Sequence, residues 1–497
     1  MKAFIGIDVG TSTVKTAIFD AYGHSYSIAR RSIDIEVPKS GYAEQDPEMW
    51  WKAVKETITE ALVTSGLSAS EINAIGLSGQ MHGAVMLDEN GFAVRPAIIW
   101  NDQRSTEQVK VLKEIAGSKL SEYTLNTAAT GFQLVSLMWL RDHCIDDYKR
   151  IRYVVAPKDY IRFKLTGKIG TECTDASATL AFNNKKLSWC NELIDMVGID
   201  TGFFPQTEYP QSIAGEVTRK VSEDTGLRVG TAVVYGGADQ AMQAVGNGII
   251  RHGTASLTIG TGGQLVAPVD APIYDLALRT NTFCGAPKGS WYIMGATLSA
   301  GLSLKWLTKK VLRNQDYQKL DAEAEGIEPG CGGLMFMPYL GGERTPHMDP
   351  MIRGSFWGLT LEHTDIHMYR AVMEGVAFSI RDCLNVFESM GIRIDQLLTA
   401  GGGMQSRVWA GILSDVLGKE LHLTGVEEQA CLGAAITAAI GVGEYKSFAS
   451  ACESMVPVSI GRIVPNDARY NVYQKSYAAY KDWYTVNKTL SPVIMNS

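Results

Sequence analysis

The 497-residue sequence has no run of 18 or more apolar residues, so no membrane-spanning helix is expected. It has no C-x-x-C pair; its eight cysteines, at 144, 173, 190, 284, 331, 383, 431 and 452, lie scattered. That spacing argues against a zinc site or a disulfide frame and reads as free thiols in a reducing compartment. A basic excess is missing too: the net charge is −7, and nothing points to nucleic acid. No charged-then-apolar leader opens the chain, so a cytoplasmic location is expected. The absence of G-x-x-x-x-G-K-[ST] excludes a P-loop protein, and without G-x-G-x-x-G after a strand a dinucleotide fold is unsupported. Gly76-Leu77-Ser78-Gly79 has the wrong spacing for a G-x-S-x-G nucleophile elbow.

Glycine, by contrast, is plentiful at 50 residues. It gathers at the ends of short apolar runs: Gly10, Gly76 with Gly79, Gly236 with Gly237, Gly260 to Gly263, Gly341 with Gly342, and Gly401 to Gly403. In α/β proteins such strand-to-turn junctions hold ligands. The length predicts two large domains. An internal echo agrees: Ile7-Asp8-Val9-Gly10-Thr11-Ser12 has the form of Leu257-Thr258-Ile259-Gly260-Thr261-Gly262, offset by 257 − 7 = 250 residues. Two α/β domains of like architecture, 1–246 and 247–497, are expected to face each other. Apolar stripes predict helices through Tyr369–Phe387 and Val408–Val416, the second stopped by Gly418. The tyrosine-rich tail from Ala468 reads as a final helix packed on the body, and the small-residue stretch 431–441 as a close-packing helix.

Asp8 sits inside an apolar strand, ahead of the turn Gly10-Thr11-Ser12-Thr13 and Lys15. A tight turn of glycine and hydroxyl residues exposes N–H groups that bind anions, phosphate above all. An acid beside phosphate needs a cation between them, and Mg²⁺ is commonly held by one or two carboxylates plus phosphates. A plain hairpin with a polar turn facing water explains the same residues. The second Gly-Thr turn, at 260–263, favours two turns that clamp a polyphosphate from both sides. Asp239 follows Gly236-Gly237 and opens a helix; one job for it is an N-cap. The other is a base toward a substrate hydroxyl, since phosphoryl transfer depends mainly on positioning and charge neutralisation. His82 is a core histidine or a ligand contact. With Asn101, Asp102, Gln103 and Arg104 behind Trp100, it suggests a hydroxyl-rich ligand. Three glycines at 401–403 let a flat group, an adenine or a ribose, approach the backbone.

Together and in this order, the segments GIDVGTSTVK, GGADQ, LTIGTGG and AGGGMQS resemble the FGGY carbohydrate kinases of the actin, hexokinase and Hsp70 superfamily. The segments AEQDPEMWW, SGQMHG, RPAIIWNDQR, PKDY and PYLGGERTPHMDP resemble those members that phosphorylate D-xylulose on its terminal hydroxyl. The resemblance implies two ribonuclease-H-like α/β domains with the catalytic cleft between them. It implies Asp239 as the base, with Met81, His82 and Gln240 on the sugar. It implies Gly10, Thr11, Ser12, Thr261 and Gly262 on ATP phosphates, Gly402, Gly403 and Gln405 beside adenosine, and Asp8 ordering Mg²⁺. A small-molecule sugar is the expected partner, and a homodimer is compatible with the reading. Many xylulose-type members read Gly-Asp-Asn where this chain has Ala238-Asp239-Gln240, and Asp-Gln occurs in glycerol kinases. Ribulose, a ketohexose or glycerol therefore stand as alternative substrates. A sugar-independent ATPase of the actin or chaperone type is the alternative of a different class.

Overall fold

The unbroken apolar run Ala3–Val9 forms a strand buried along its whole length, as a central strand covered on both faces must be. It is the third strand from one edge of a mixed sheet in the computed structural model, which describes residues 2–495. On one side it pairs antiparallel with Thr13–Asp20, which pairs antiparallel with Ser25–Ser32. On the other it pairs parallel with Ile72–Gly79, followed by parallel Ala232–Val234 and antiparallel Ile213–Glu216. A second sheet repeats this plan. Gly253–Ile259 pairs antiparallel with Gly263–Val269, which pairs antiparallel with Trp291–Thr297. Gly253–Ile259 also pairs parallel with Ile394–Ala400, followed by parallel Leu421–Leu423 and antiparallel Gly461–Ile463. Order and direction match over these six strands, with Asn281–Cys284 added at the edge of the second sheet, so the 250-residue echo marks a repeat of architecture.

The apolar stripes become the helices Asp365–Ser389 and Arg407–Leu417, the second ended by Gly418 in the left-handed conformation at φ 62°. The tail forms the helix Asp467–Met495 and sends Tyr473, Tyr477 and Tyr480 into the core of the second sheet. All eight cysteines are free. Among the described residues no helix is long and apolar enough to cross a membrane.

The small-residue helix Gln429–Gly441 lies late in the chain yet packs on the first sheet. Cys431, Leu432, Ala434 and Ala435 share a core with Phe4, Ala17, Ala74 and Met242. Glycines permit this approach. A Cβ at Gly6 would lie 1.8 Å from the Cys431 carbonyl oxygen, and one at Gly76 would lie 1.9 Å from that of Ala434. The same helix crosses Asp239–Gly246, where a Cβ at Gly433 would sit 1.9 Å from the Met242 carbonyl oxygen. Gly433→Ala should therefore destabilise by about 2 kcal/mol or more through overpacking. Helix propensity alone would make that change stabilising by about 1 kcal/mol, so the sign discriminates. A melting temperature equal to or above wild type would refute the close crossing.

Candidate active site

Asp8 is held from two sides. Ser78 Oγ on the neighbouring strand donates to its Oδ1 at 2.9 Å, and Lys15 Nζ, its cross-strand partner, lies 3.9 Å from Oδ2. Oδ2 accepts no hydrogen bond among the described residues and stays available to a cation. Burial lifts the Asp8 carboxyl above the usual range, against the Lys15 charge and the Ser78 bond. Lys15 itself is committed to Glu428, with Nζ 2.8 Å from Oε2.

In the turn that follows, Gly10 N donates to Thr13 O at 3.2 Å, and Ser12 is exposed. Thr11 is braced: its hydroxyl donates to Gln80 Oε1 at 3.2 Å and accepts from Trp100 Nε1 at 2.9 Å. Gln45 Nε2 donates to its carbonyl at 2.8 Å, and Gln80 Nε2 to Gln45 Oε1 at 2.9 Å. Sequence reasoning assigned no role to Gln45 or Gln80. Their only signal was membership of the quoted segments AEQDPEMWW and SGQMHG.

Asp239 reaches the same sheet end from the other side. Gly236, at φ 74°, packs so tightly that a Cβ would lie 2.2 Å from the Leu77 carbonyl oxygen, and Gly237-Ala238 then pair with Ser78-Gly79. The strand that carries the Ser78 hydroxyl to Asp8 thus also seats the turn before Asp239. The cap position of the helix Asp239–Gly246 belongs to Ala238; Asp239 is its first residue and accepts from Gln240 N at 2.7 Å. Burial, then the facing charge of Asp8, raise the Asp239 carboxyl to about 7, against the Gln240 N–H. A group with that value exchanges its proton near neutral pH, as a general base must.

The turn is fastened from behind. Ala238 N donates to Thr174 Oγ1 at 2.8 Å, and that hydroxyl donates to Glu172 Oε1 at 2.8 Å. The buried Lys158 of the PKDY segment lies 2.8 Å from Asp159 Oδ1, 3.1 Å from Asp175 Oδ2 and 3.3 Å from Glu172 Oε1.

His82 adopts φ 67°, a left-handed conformation uncommon outside glycine and enriched for His, Asn and Asp. Its Nδ1 is 2.7 Å from the Ala178 carbonyl oxygen. A carbonyl only accepts, so Nδ1 carries the hydrogen and Nε2 is left as an acceptor. Burial and the Arg344 charge drive the imidazolium down to about 4, against the Ala178 bond, so the ring is neutral at physiological pH. Met81 is buried, and its Sδ accepts from the Tyr292 hydroxyl of the second sheet at 3.7 Å. Gln240 is half-buried, with its side-chain amide unbonded among the described residues.

The cluster behind Trp100 departs from expectation. Arg104 lies 2.6 Å from Glu44 and 2.8 Å from Asp102, and stacks over Tyr42 at 3.9 Å. Asp102 also accepts from Ala43 N at 2.7 Å. Asp102 and Arg104 are therefore a buried brace and not a ligand wall. Only folding brings Glu44 and Tyr42 to them.

In the second half of the chain, Thr261, Gly402, Gly403 and Gln405 line one cavity of about 560 Å³, with Lys305 and Asp321 also on its wall. A volume of that order suits a nucleoside-sized ligand. The Thr261 carbonyl accepts from Ala300 N and Leu302 N, both at 3.0 Å. Gly262 turns the hairpin where a Cβ would be 2.4 Å from the Thr297 carbonyl oxygen. Gly401 takes φ 92°, and a Cβ at Gly403 would overlap Ile259 at 2.4 Å, so the glycine run is required by backbone shape as well as by space for a ligand.

Comparison with known proteins agrees with this geometry. Residues 3–246 match the N-terminal domain, and residues 249–442 the C-terminal domain, of the FGGY family of carbohydrate kinases. The xylulose kinase of Staphylococcus xylosus is 36% identical over 97% of this chain and 100% of its own. That of Bacillus subtilis is 34% identical over 99% of each. The crystal structure of xylulose kinase from Rhodospirillum rubrum superposes with a TM-score of 0.92 at 27% identity, covering 98% of this chain and 99% of that one. With both halves matched in order, the chain belongs to the FGGY family of carbohydrate kinases.

Proposed function

We propose that this kinase transfers the γ-phosphoryl group of ATP to the terminal hydroxyl of D-xylulose, giving D-xylulose 5-phosphate and ADP. The observation that carries the reading is Asp239, whose carboxyl is raised to about 7 by burial and by the charge of Asp8 at the end of the first sheet. Asp239 takes the proton of the terminal hydroxyl as its oxygen attacks phosphorus, and the bond from phosphorus to the ADP oxygen breaks. Neutral His82 accepts a sugar hydroxyl at Nε2, Met81 supplies an apolar wall, and Gln240 has a free amide for another hydroxyl. Gly10, whose N–H closes the turn onto Thr13 O, presents the backbone N–H groups of Thr11 and Ser12 to terminal phosphates from one domain, and Thr261 and Gly262 hold them from the other. Gly402, Gly403 and Gln405 flank adenosine. Thr11 serves through its backbone, because its hydroxyl is already shared between Gln80 and Trp100.

Asp8, with its open Oδ2, fits a single protein ligand to Mg²⁺, which supplies charge neutralisation at the phosphates. No cluster of three metal-ligating side chains occurs among the described residues, which matches an ion held chiefly by phosphate and water. The two domains, 1–246 and 247–497, close about the crossing helices Asp239–Gly246 and Gln429–Gly441 and exclude water.

The test is ADP release with ATP–Mg²⁺ against D-xylulose, D-ribulose, L-ribulose, L-xylulose, D-fructose, D-tagatose, glycerol and no sugar. Turnover at least tenfold higher with D-xylulose than with any other addition is expected. A higher rate on another polyol would move the substrate and point to Gln240. Equal rates with and without sugar would sink both the closure and the kinase reading.

A further inference from the structure

We infer that Glu428, from late in the chain, keeps Asp8 open to a divalent cation by holding Lys15 away from it. The inference rests on the reading of Asp8 as the protein ligand to Mg²⁺ given above, and it makes Glu428 a positioning residue for that site.

Four strands set the residues in one row. Ser78 pairs in register with Asp8, Asp8 with Lys15, and Lys15 with Arg30. Residues paired directly across strands share a face of the sheet, with strands about 5 Å apart. Two cations therefore follow the one carboxylate along the row. Asp8 Oδ1 is taken by Ser78 Oγ at 2.9 Å, and Lys15 Nζ stands 3.9 Å from Oδ2. A movement of roughly 1 Å would turn that separation into a charge-assisted hydrogen bond. The ammonium and a divalent cation would then compete for the same oxygen.

Glu428 blocks this from outside the sheet. It precedes the helix Gln429–Gly441, which covers the same face: Gly6, two residues before Asp8 and so on its side of the strand, abuts the Cys431 carbonyl oxygen. Glu428 holds the cap position of that helix, yet its side chain makes no cap hydrogen bond. Its Oε2 lies 2.8 Å from Lys15 Nζ instead, and its Oε1 accepts from Arg30 Nε at 2.9 Å. The carboxylate is buried and bridges both cations, so each is neutralised without Asp8. Arg30 also pairs with Glu427, which fastens the segment that carries Glu428. With Glu428 the charges of Asp8, Lys15, Arg30 and Glu428 sum to zero. Without it they sum to +1 beside the oxygen that a cation must reach.

The test compares ADP binding in Mn²⁺ with ADP binding in EDTA, by calorimetry, with bound Mn²⁺ followed by water-proton relaxation. The ratio of the two Kd values isolates what the metal contributes. In Glu428→Gln that ratio should fall about 10-fold, the low end of the range for loss of a group that positions a metal ligand. The Kd for metal-free ADP should not weaken, since no donor to phosphate is lost. Adding Lys15→Met removes the competitor and should bring the ratio back to within about threefold of wild type. General damage to the phosphate turn would weaken ADP with and without metal alike, and deleting Lys15 would not repair it. An unchanged ratio in Glu428→Gln, or a loss that Lys15→Met does not recover, overturns the inference. If Glu428→Gln does not fold, the same comparison is made with Glu428→Asp, which keeps the charge and shortens its reach, alone and with Lys15→Met; an unchanged ratio overturns the inference there. Asp8→Asn runs beside them: a ratio equal to wild type would overturn the magnesium reading of Asp8 itself, and the inference with it.

Discussion

Asp239→Asn is expected to lower kcat by about 10³-fold, the middle of the range for loss of a general base, and to make the protein more stable at pH 8. The two effects share a cause. The Asp239 carboxyl is raised from 3.8 to about 7 by burial and by the charge of Asp8. The folded state therefore holds its proton more tightly than the unfolded chain does. The stability that the protonated group supports is fully present below about pH 4 and is lost as pH rises through about 7. At pH 8 the ionised carboxylate costs on the order of 4 kcal/mol, from about 3 pKa units at 1.36 kcal/mol each. Asn abolishes that cost together with the base. The melting temperature of the ligand-free variant should exceed wild type at pH 8, and the gain should shrink toward pH 5. In wild type, kcat/KM, which reports the free enzyme, should rise with pH on an acid limb centred near 7. A variant that keeps a tenth of wild-type turnover would remove Asp239 from the chemistry. One that melts below wild type at pH 8 would contradict the stored charge repulsion.

The second large effect is on folding. Lys158→Met should destabilise by about 3–5 kcal/mol, the cost of stripping one partner from a buried ionic cluster. For a domain of this size that is a fall in melting temperature of roughly 6–20 °C. The side chains of Lys158, Asp159 and Glu172 are fully buried, and Lys158 is the cation nearest to three carboxylates. Apart from Lys158 Nζ, no donor among the described residues reaches either Asp175 oxygen, so nothing else compensates there. Burial raises the Glu172 and Asp175 carboxyls, and Lys158 opposes that rise. Without Lys158 they would hold protons still more tightly, so the damage should be smaller at pH 5 than at pH 8. Adding Asp175→Asn should recover part of the loss by removing one unpaired charge. The damage should also reach turnover, because Glu172 holds the Thr174 hydroxyl that holds Ala238 N, one residue from Asp239. A Lys158→Met protein that melts within about 2 °C of wild type would show that the cluster does not need its lysine.

The architecture and a list of candidate groups were legible in the chain itself. Alternating apolar runs and glycine turns encode strand ends locally, so the two hairpins at Gly10 and Gly262, the helix Asp365–Ser389 and the tail helix could be placed without tertiary information. An acid inside an apolar strand marks itself as unusual, which singled out Asp8. The motif order carried Asp239, His82 and the glycine run at 401–403. What these groups are bonded to was not legible. Lys15 meets Glu428 across 428 − 15 = 413 residues, Arg104 meets Glu44, and the helix Gln429–Gly441 packs on a sheet built from the first part of the chain. Periodicity reports whether a side chain is buried, because burial follows from the local strand or helix face. It carries nothing about which distant charge arrives beside it. The sequence by itself therefore determined the two-domain α/β plan and the candidate chemistry. The tertiary structure alone decided which charges are spent on bracing, and that Asp239 titrates near neutrality because folding buries it and, second, brings the charge of Asp8 to it.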